Sequence, residues 1–147
     1  MANGTRNVCL GVGLLLACAA HSYAVCIVPI EPCPDKPNCV ATDDANPDRR
    51  APAISFDGTA NEHWDKVRTA VLALERVAII EEREHFLHAT LTSALMGYVD
   101  DLVVTVCDDG KRLGVRSSSR EGYWDLGVNG RRVETLIERL RDSGAVR

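Results

Sequence analysis

Arg116-Ser117-Ser118-Ser119-Arg120, followed by Asp125 and Asn129, is the densest group of anion-binding side chains in this sequence. Two guanidiniums flanking hydroxyls, next to a helix start, suit a phosphate or a carboxylate. The same residues also read as a structural knot. In that reading Asp101 and Asp125 neutralise the two arginines and Asn129 caps the last helix. Those carboxylates match the arginines in number, so a knot needs no ligand. Asp100 and Asp101 offer a hydrolase its acid and base. Neighbours on a strand point to opposite faces, however, and only a bulge brings both into one pocket. His85 and His88 diverge for the same reason, so they make no metal pair. Cys107 with either histidine is a conceivable nucleophile and base, although a disulfide is favoured. No glycine-rich phosphate loop is present. No metal or cofactor is expected, and the enzyme reading is the weaker one.

The elements that position these residues follow from pattern. Asp108-Asp109-Gly110-Lys111 is the clearest turn, since Asp-Gly supplies the positive φ values of a tight hairpin. If Asp109-Gly110 is its centre, Asp101 lies opposite Ser118 and Asp100 opposite Ser119. Arg116 and Arg120 are then diagonal neighbours of Asp101 on one face. Asp100 shares the other face with Leu102, Val104 and Val106, which looks like the core. A register slip of one inverts all of this.

Trp64, Val67, Val71, Leu72 and Leu74 recur at helical spacing, with Thr59 or Asn61 to cap the start and an end near Arg76. Val77–Ile80 reads as a strand running into a charged turn at Glu81–Glu84. His85–Ser93, Tyr98–Cys107 and Leu113–Ser118 read as further strands. Val133, Leu136, Ile137 and Leu140 mark one face of a final helix that Gly144 stops. Strands in a row between helices predict a two-layer α+β domain. It has an antiparallel sheet of three to four strands, with two helices packed on one face. All six prolines fall between Pro29 and Pro52. Residues 25–58 therefore read as a Pro-rich arm, with one short strand at Ala53–Phe56, and 59–147 as the α+β domain.

Of the 147 residues, 46% are hydrophobic and 26% charged, which is an ordinary globular mixture of one domain's size. Net charge is −4 and no basic stripe appears, so nucleic acid is not an expected partner. Val8–Ala20 is uncharged, follows Arg6, and falls short of the roughly 20 residues a membrane-spanning helix needs. It suits the apolar region of an export signal. Two processing routes compete. Ser22-Tyr23-Ala24 fits signal peptidase and makes 1–24 a signal peptide. Leu15-Leu16-Ala17-Cys18 resembles a lipobox, which makes 1–17 the signal and Cys18 a lipidated, membrane-anchored N-terminus. Either route leaves Cys26, Cys33, Cys39 and Cys107, an even set that suggests disulfides in an oxidising compartment such as the periplasm. The short loop from Cys33 to Cys39, with its two prolines, favours that pair. Cys26 and Cys107 then tie the arm to the sheet. A metal site is disfavoured because no histidine stands at ligand spacing.

Four blocks in order carry a family resemblance. They are the Cys33–Val40 loop, Val99-Asp100-Asp101, Arg116–Gly122, and Asp125-Leu126-Gly127-Val128-Asn129. Together they resemble the family called domain of unknown function 1499, over about Cys33 to Leu140. The resemblance implies a domain of exported or lipid-anchored proteins without an established activity. Gly130 departs from the family, which often has a basic residue there, and Gly97-Tyr98 replaces a commoner aromatic. The leading expectation is a non-enzymatic envelope domain. It binds a small anion or a partner protein through the Arg116–Asn129 surface, at Asp101, Arg116, Ser117, Ser119, Arg120, Asp125 and Asn129. The alternatives are the Asp100/Asp101 hydrolase and a purely structural domain.

Overall fold

The structure, a computed structural model, describes residues 25–147. The expected export segment, both cleavage routes and Cys18 lie outside the described residues. Chain order is β1 (Cys39–Thr42), a 3-10 turn at Pro47–Arg49, β2 (Arg50–Ala51), β3 (Ile54–Ser55), α1 (Ala60–Leu72), β4 (Val77–Arg83), β5 (Phe86–Thr92), β6 (Val99–Cys107), β7 (Arg112–Ser119) and α2 (Val128–Asp142).

The sheet corrects the expectation of three to four antiparallel strands. It has seven strands and is mixed, in the order β2-β1-β7-β6-β5-β4, with β3 also pairing β7. The extra strands come from the Pro-rich segment. β1 runs antiparallel to the end of β7, β3 pairs with its beginning, and β2 lies parallel to β1. These strands are two to four residues long, too short to show an alternating pattern. Pro47 and Pro52 fall between them and Pro37 just before β1, where a missing N–H costs no ladder bond. β4 also runs through Glu81–Arg83, where a turn is expected from the charges. The reversal is at Glu84-His85 instead, and His85 takes φ 58°.

The β6–β7 register places Asp100 against Ser119 and Asp101 against Ser118. Asp108, Asp109 and Gly110 all have positive φ, as the turn requires. Leu102, Val104 and Val106 of β6 and Leu113 and Val115 of β7 form the inner face. Val67 and Val71 of α1 and Val133, Leu136 and Leu140 of α2 pack over it, all buried. Glu62 accepts from the Thr59 N–H at 3.0 Å and closes the start of α1.

The outer face is crossed by residues 25–32. A disulfide joins Cys26 to Cys107, and the Ile27 N–H donates to the Val106 carbonyl at 2.9 Å. The Val28 N–H donates to Thr105 Oγ1 at 3.3 Å. Gly114 makes this approach possible, because a Cβ there would stand 2.6 Å from Ile30 Cδ1. A second disulfide joins Cys33 to Cys39, the first residue of β1.

Candidate functional site

Strand alternation divides the expected site between two faces. Arg116, Ser118 and Arg120 of the β7 end share the outer face with Asp101, whereas Ser117 and Ser119 point inward with Asp100.

The inward group is a polar knot under α2. Asn129 is fully buried. Its Oδ1 accepts from Ser117 Oγ at 2.6 Å and from Arg132 Nη1 at 2.7 Å. Its Nδ2 reaches the Asn38 carbonyl, Ser119 Oγ and Asp125 Oδ2 at 2.8–3.0 Å. Charge counting expects Asp125 to meet an arginine, and among the described residues it forms no ion pair with one. It accepts from the N–H groups of Gly127 and Asn129, at 2.9 and 2.8 Å, and caps α2 itself. Asn129 is therefore inside the knot and is not the cap. Asp100 belongs here too, through Arg132 Nη2 at 2.7 Å. Nothing in the local pattern signals that pairing, because Arg132 lies 32 residues on, past the hairpin and a loop, on α2.

The outward group lines a cleft. Asp101 takes two bonds from Arg120, Nε to Oδ2 at 2.8 Å and Nη2 to Oδ1 at 2.9 Å. His88 Nε2 lies 2.7 Å from Asp101 Oδ1. Arg116 Nη1 donates to Ser118 Oγ at 2.7 Å. Phe86 and Val103 also line the cleft, and Val28, Pro29 and Glu31 wall it from the arm. Sequence reasoning missed His88 and the arm residues. The side on which His88 stands depends on the β5–β6 register, and no turn dipeptide sets that register. His85 is in the turn before β5, with its ring 5.4 Å from that of Trp64.

Asp100 and Asp101 face opposite sides of the sheet, so they do not form one acid–base pair. Cys107 is held in a disulfide and is no nucleophile.

The hydrogen bond from Arg120 holds the Asp101 carboxyl below the usual carboxylate range, with His88 helping and burial opposing. A depressed folded-state value contributes stability that is present above the unfolded value of about 3.9 and lost as pH falls through the folded value. Asp101→Asn should therefore be less stable than wild type near neutrality. The gap should close at acidic pH, below about 4. Urea unfolding across that range tests this, and a gap independent of pH would contradict it.

The arrangement defines a class: a small α+β domain whose disulfide-fastened arm walls an arginine-bearing cleft on the open face of its sheet. Residues 29–140 match the family described as Protein of unknown function (DUF1499), and the chain belongs to that family. No curated protein and no solved structure matches it. The match begins at Pro29, so it takes in the sheet and the arm from Pro29 onward, but not Cys26.

Proposed function

We propose that this is an exported, non-enzymatic domain that binds one small anionic group in the outer-face cleft, on Arg116. The observation that carries this reading is the state of Arg116 beside its neighbours. Arg112 holds Asp43 and Asp108, Arg120 holds Asp101, and Arg132 holds Asp100. Among the described residues Arg116 has no carboxylate, only the Ser118 hydroxyl, and its Nε is buried without an acceptor. A buried donor left unpaired costs about 1–3 kcal/mol. A ligand carboxylate or phosphate would supply the missing acceptor in the planar, two-pronged geometry that a guanidinium prefers. Arg120 stands in the same cleft. Glu31 opposes it and limits the ligand to a small charge.

Export is supported by the apolar run at Val8–Ala20 and by two disulfides, which persist in oxidising compartments. Cleavage after Ala24 would also turn the Val25 amide, 3.1 Å from Asp108 Oδ1, into an ammonium beside a carboxylate. Mass spectrometry of the protein from its cells distinguishes a Val25 start from a lipidated Cys18.

A thermal-shift screen of small carboxylates and phosphates tests the site. Arg116→Ala should weaken any hit about 10- to 100-fold, the worth of a charged hydrogen-bonded contact. Its far-UV circular dichroism should stay native, because no carboxylate is left unpaired. Binding unchanged in Arg116→Ala would sink the reading.

A further inference from the structure

Two loops meet at one end of the sheet, away from the cleft walls. The chain between β5 and β6 exposes Leu95, Met96 and Tyr98, and the chain between β7 and α2 exposes Tyr123, Trp124 and Leu126. Leu95 is 94% exposed, Leu126 80% and Trp124 70%. The Arg120 N–H donates to the Val99 carbonyl at 3.1 Å, so the bases of the two loops are adjacent. The arm begins at the opposite end of β6, fastened at Cys107, and farther along Asp35, Lys36 and Pro37 line a pocket with Tyr123.

Exposed apolar side chains gathered on two loops with adjacent bases mark a contact surface. Its chemistry selects the partner. The side chains stand on two loops and are open to solvent. Tyrosine and tryptophan, apolar with one polar edge, are the residues that settle at a membrane–water boundary. Beside the first loop, a cleft between Ser93-Ala94, the chain after α1 and the face of α2 is lined by Arg76, Arg131, Arg132 and Arg139 against Glu75 and Asp100. That leaves two positive charges in excess, on a chain whose net charge is −4. Leu126 adds an independent sign. It holds φ 55°, a left-handed conformation costly for a residue with a branched side chain, and keeps that side chain in solvent. Arg131 Nη1 fixes the strained turn by donating to the Leu126 carbonyl at 2.9 Å. No helix among the described residues is long and apolar enough to cross a membrane.

We propose that this end of the domain rests on an anionic lipid surface. Leu95, Met96, Trp124 and Leu126 enter the headgroup boundary, while Arg76, Arg131 and Arg139 face the lipid phosphates. The inference does not depend on a ligand at Arg116.

The chain has two tryptophans, so Trp64→Phe leaves Trp124 as the single reporter. With phosphatidylglycerol vesicles its emission should shift to shorter wavelength and be quenched by brominated acyl chains. With phosphatidylcholine vesicles it should do neither. Leu95→Asp and Leu126→Asp should each weaken the phosphatidylglycerol response about tenfold or more, as expected for removing one leucine from the apolar phase. Both positions are at the surface, so circular dichroism should stay native. Trp124 that remains in water on phosphatidylglycerol overturns the proposal. So does an equal response to both lipids, or a response that the two aspartates leave unchanged. If the lipids have no effect but the same aspartates break a complex with a protein, the surface is a protein-docking face and the proposal is also overturned.

Discussion

Replacing Cys26 and Cys107 together by alanine should destabilise the domain by about 4–5 kcal/mol, the loop-entropy value for a link of this span. The two cysteines lie 81 residues apart in sequence, so their bond removes a large share of the unfolded chain's freedom. Cys33 and Cys39 are only 6 apart, and the same reasoning gives their removal about 2–3 kcal/mol. The prediction is therefore an ordering as well as a size. Urea unfolding of the two double variants under non-reducing conditions checks both, and equal losses would contradict the entropic account. A functional consequence separates the pairs further. Without Cys26–Cys107 the arm keeps only non-covalent ties to the sheet, among them the Val25–Asp108, Ile27 and Val28 bonds and the Ile30 contact at Gly114. Val28, Pro29 and Glu31 then cease to wall the cleft. Anion binding at Arg116 should weaken in this variant even where the sheet is fully folded.

How much of this was legible depends on what sets each register. The Asp109-Gly110 turn determines the β6–β7 pairing, and from it follow the opposed faces of Asp100 and Asp101 and the nearness of Asp101 to Arg120. The same alternation sends Ser117 and Ser119 inward. Grouping them with Arg116 and Arg120 as one surface confuses nearness in sequence with a shared face. β1 and β2 were not legible, because two to four residues among prolines carry no period. What makes them strands is the open edge of β7, which β1 takes, and then the edge of β1, which β2 takes, both long-range facts. His88 was not legible as a partner of Asp101, because the Ser93–Tyr98 connection has no turn signature to set the β5–β6 pairing. The β4–β5 ladder also carries an irregularity between Ile79 and Glu81, which breaks any count along β4.

The second large effect is expected at Arg132, the residue that local pattern reading could not place. Its side chain and that of Asp100 are 11% and 10% exposed, and they bond at 2.7 Å. Arg132→Met should cost about 3–5 kcal/mol, because it leaves the Asp100 carboxylate buried without a partner. The same change removes the donor to Ser117 Oγ and Asn129 Oδ1, so the knot loses more than one contact. Asp100→Leu with Arg132→Met should be less damaging than the sum of the two single changes, since neither charge is then stranded. Chemical unfolding of the four proteins in this cycle measures the coupling, and simple additivity would show that the pair is not a unit. The pair matters beyond stability because it fastens the first turns of α2 to β6. The chain that enters α2 carries Trp124 and Leu126, and its position is set by where that helix starts. Arg132→Met should therefore loosen the presentation of both side chains and weaken the vesicle response of Trp124, although neither residue touches Arg132. The buried knot and the exposed end thus meet in one element. The knot places the start of α2, and the start of α2 places the apolar tip.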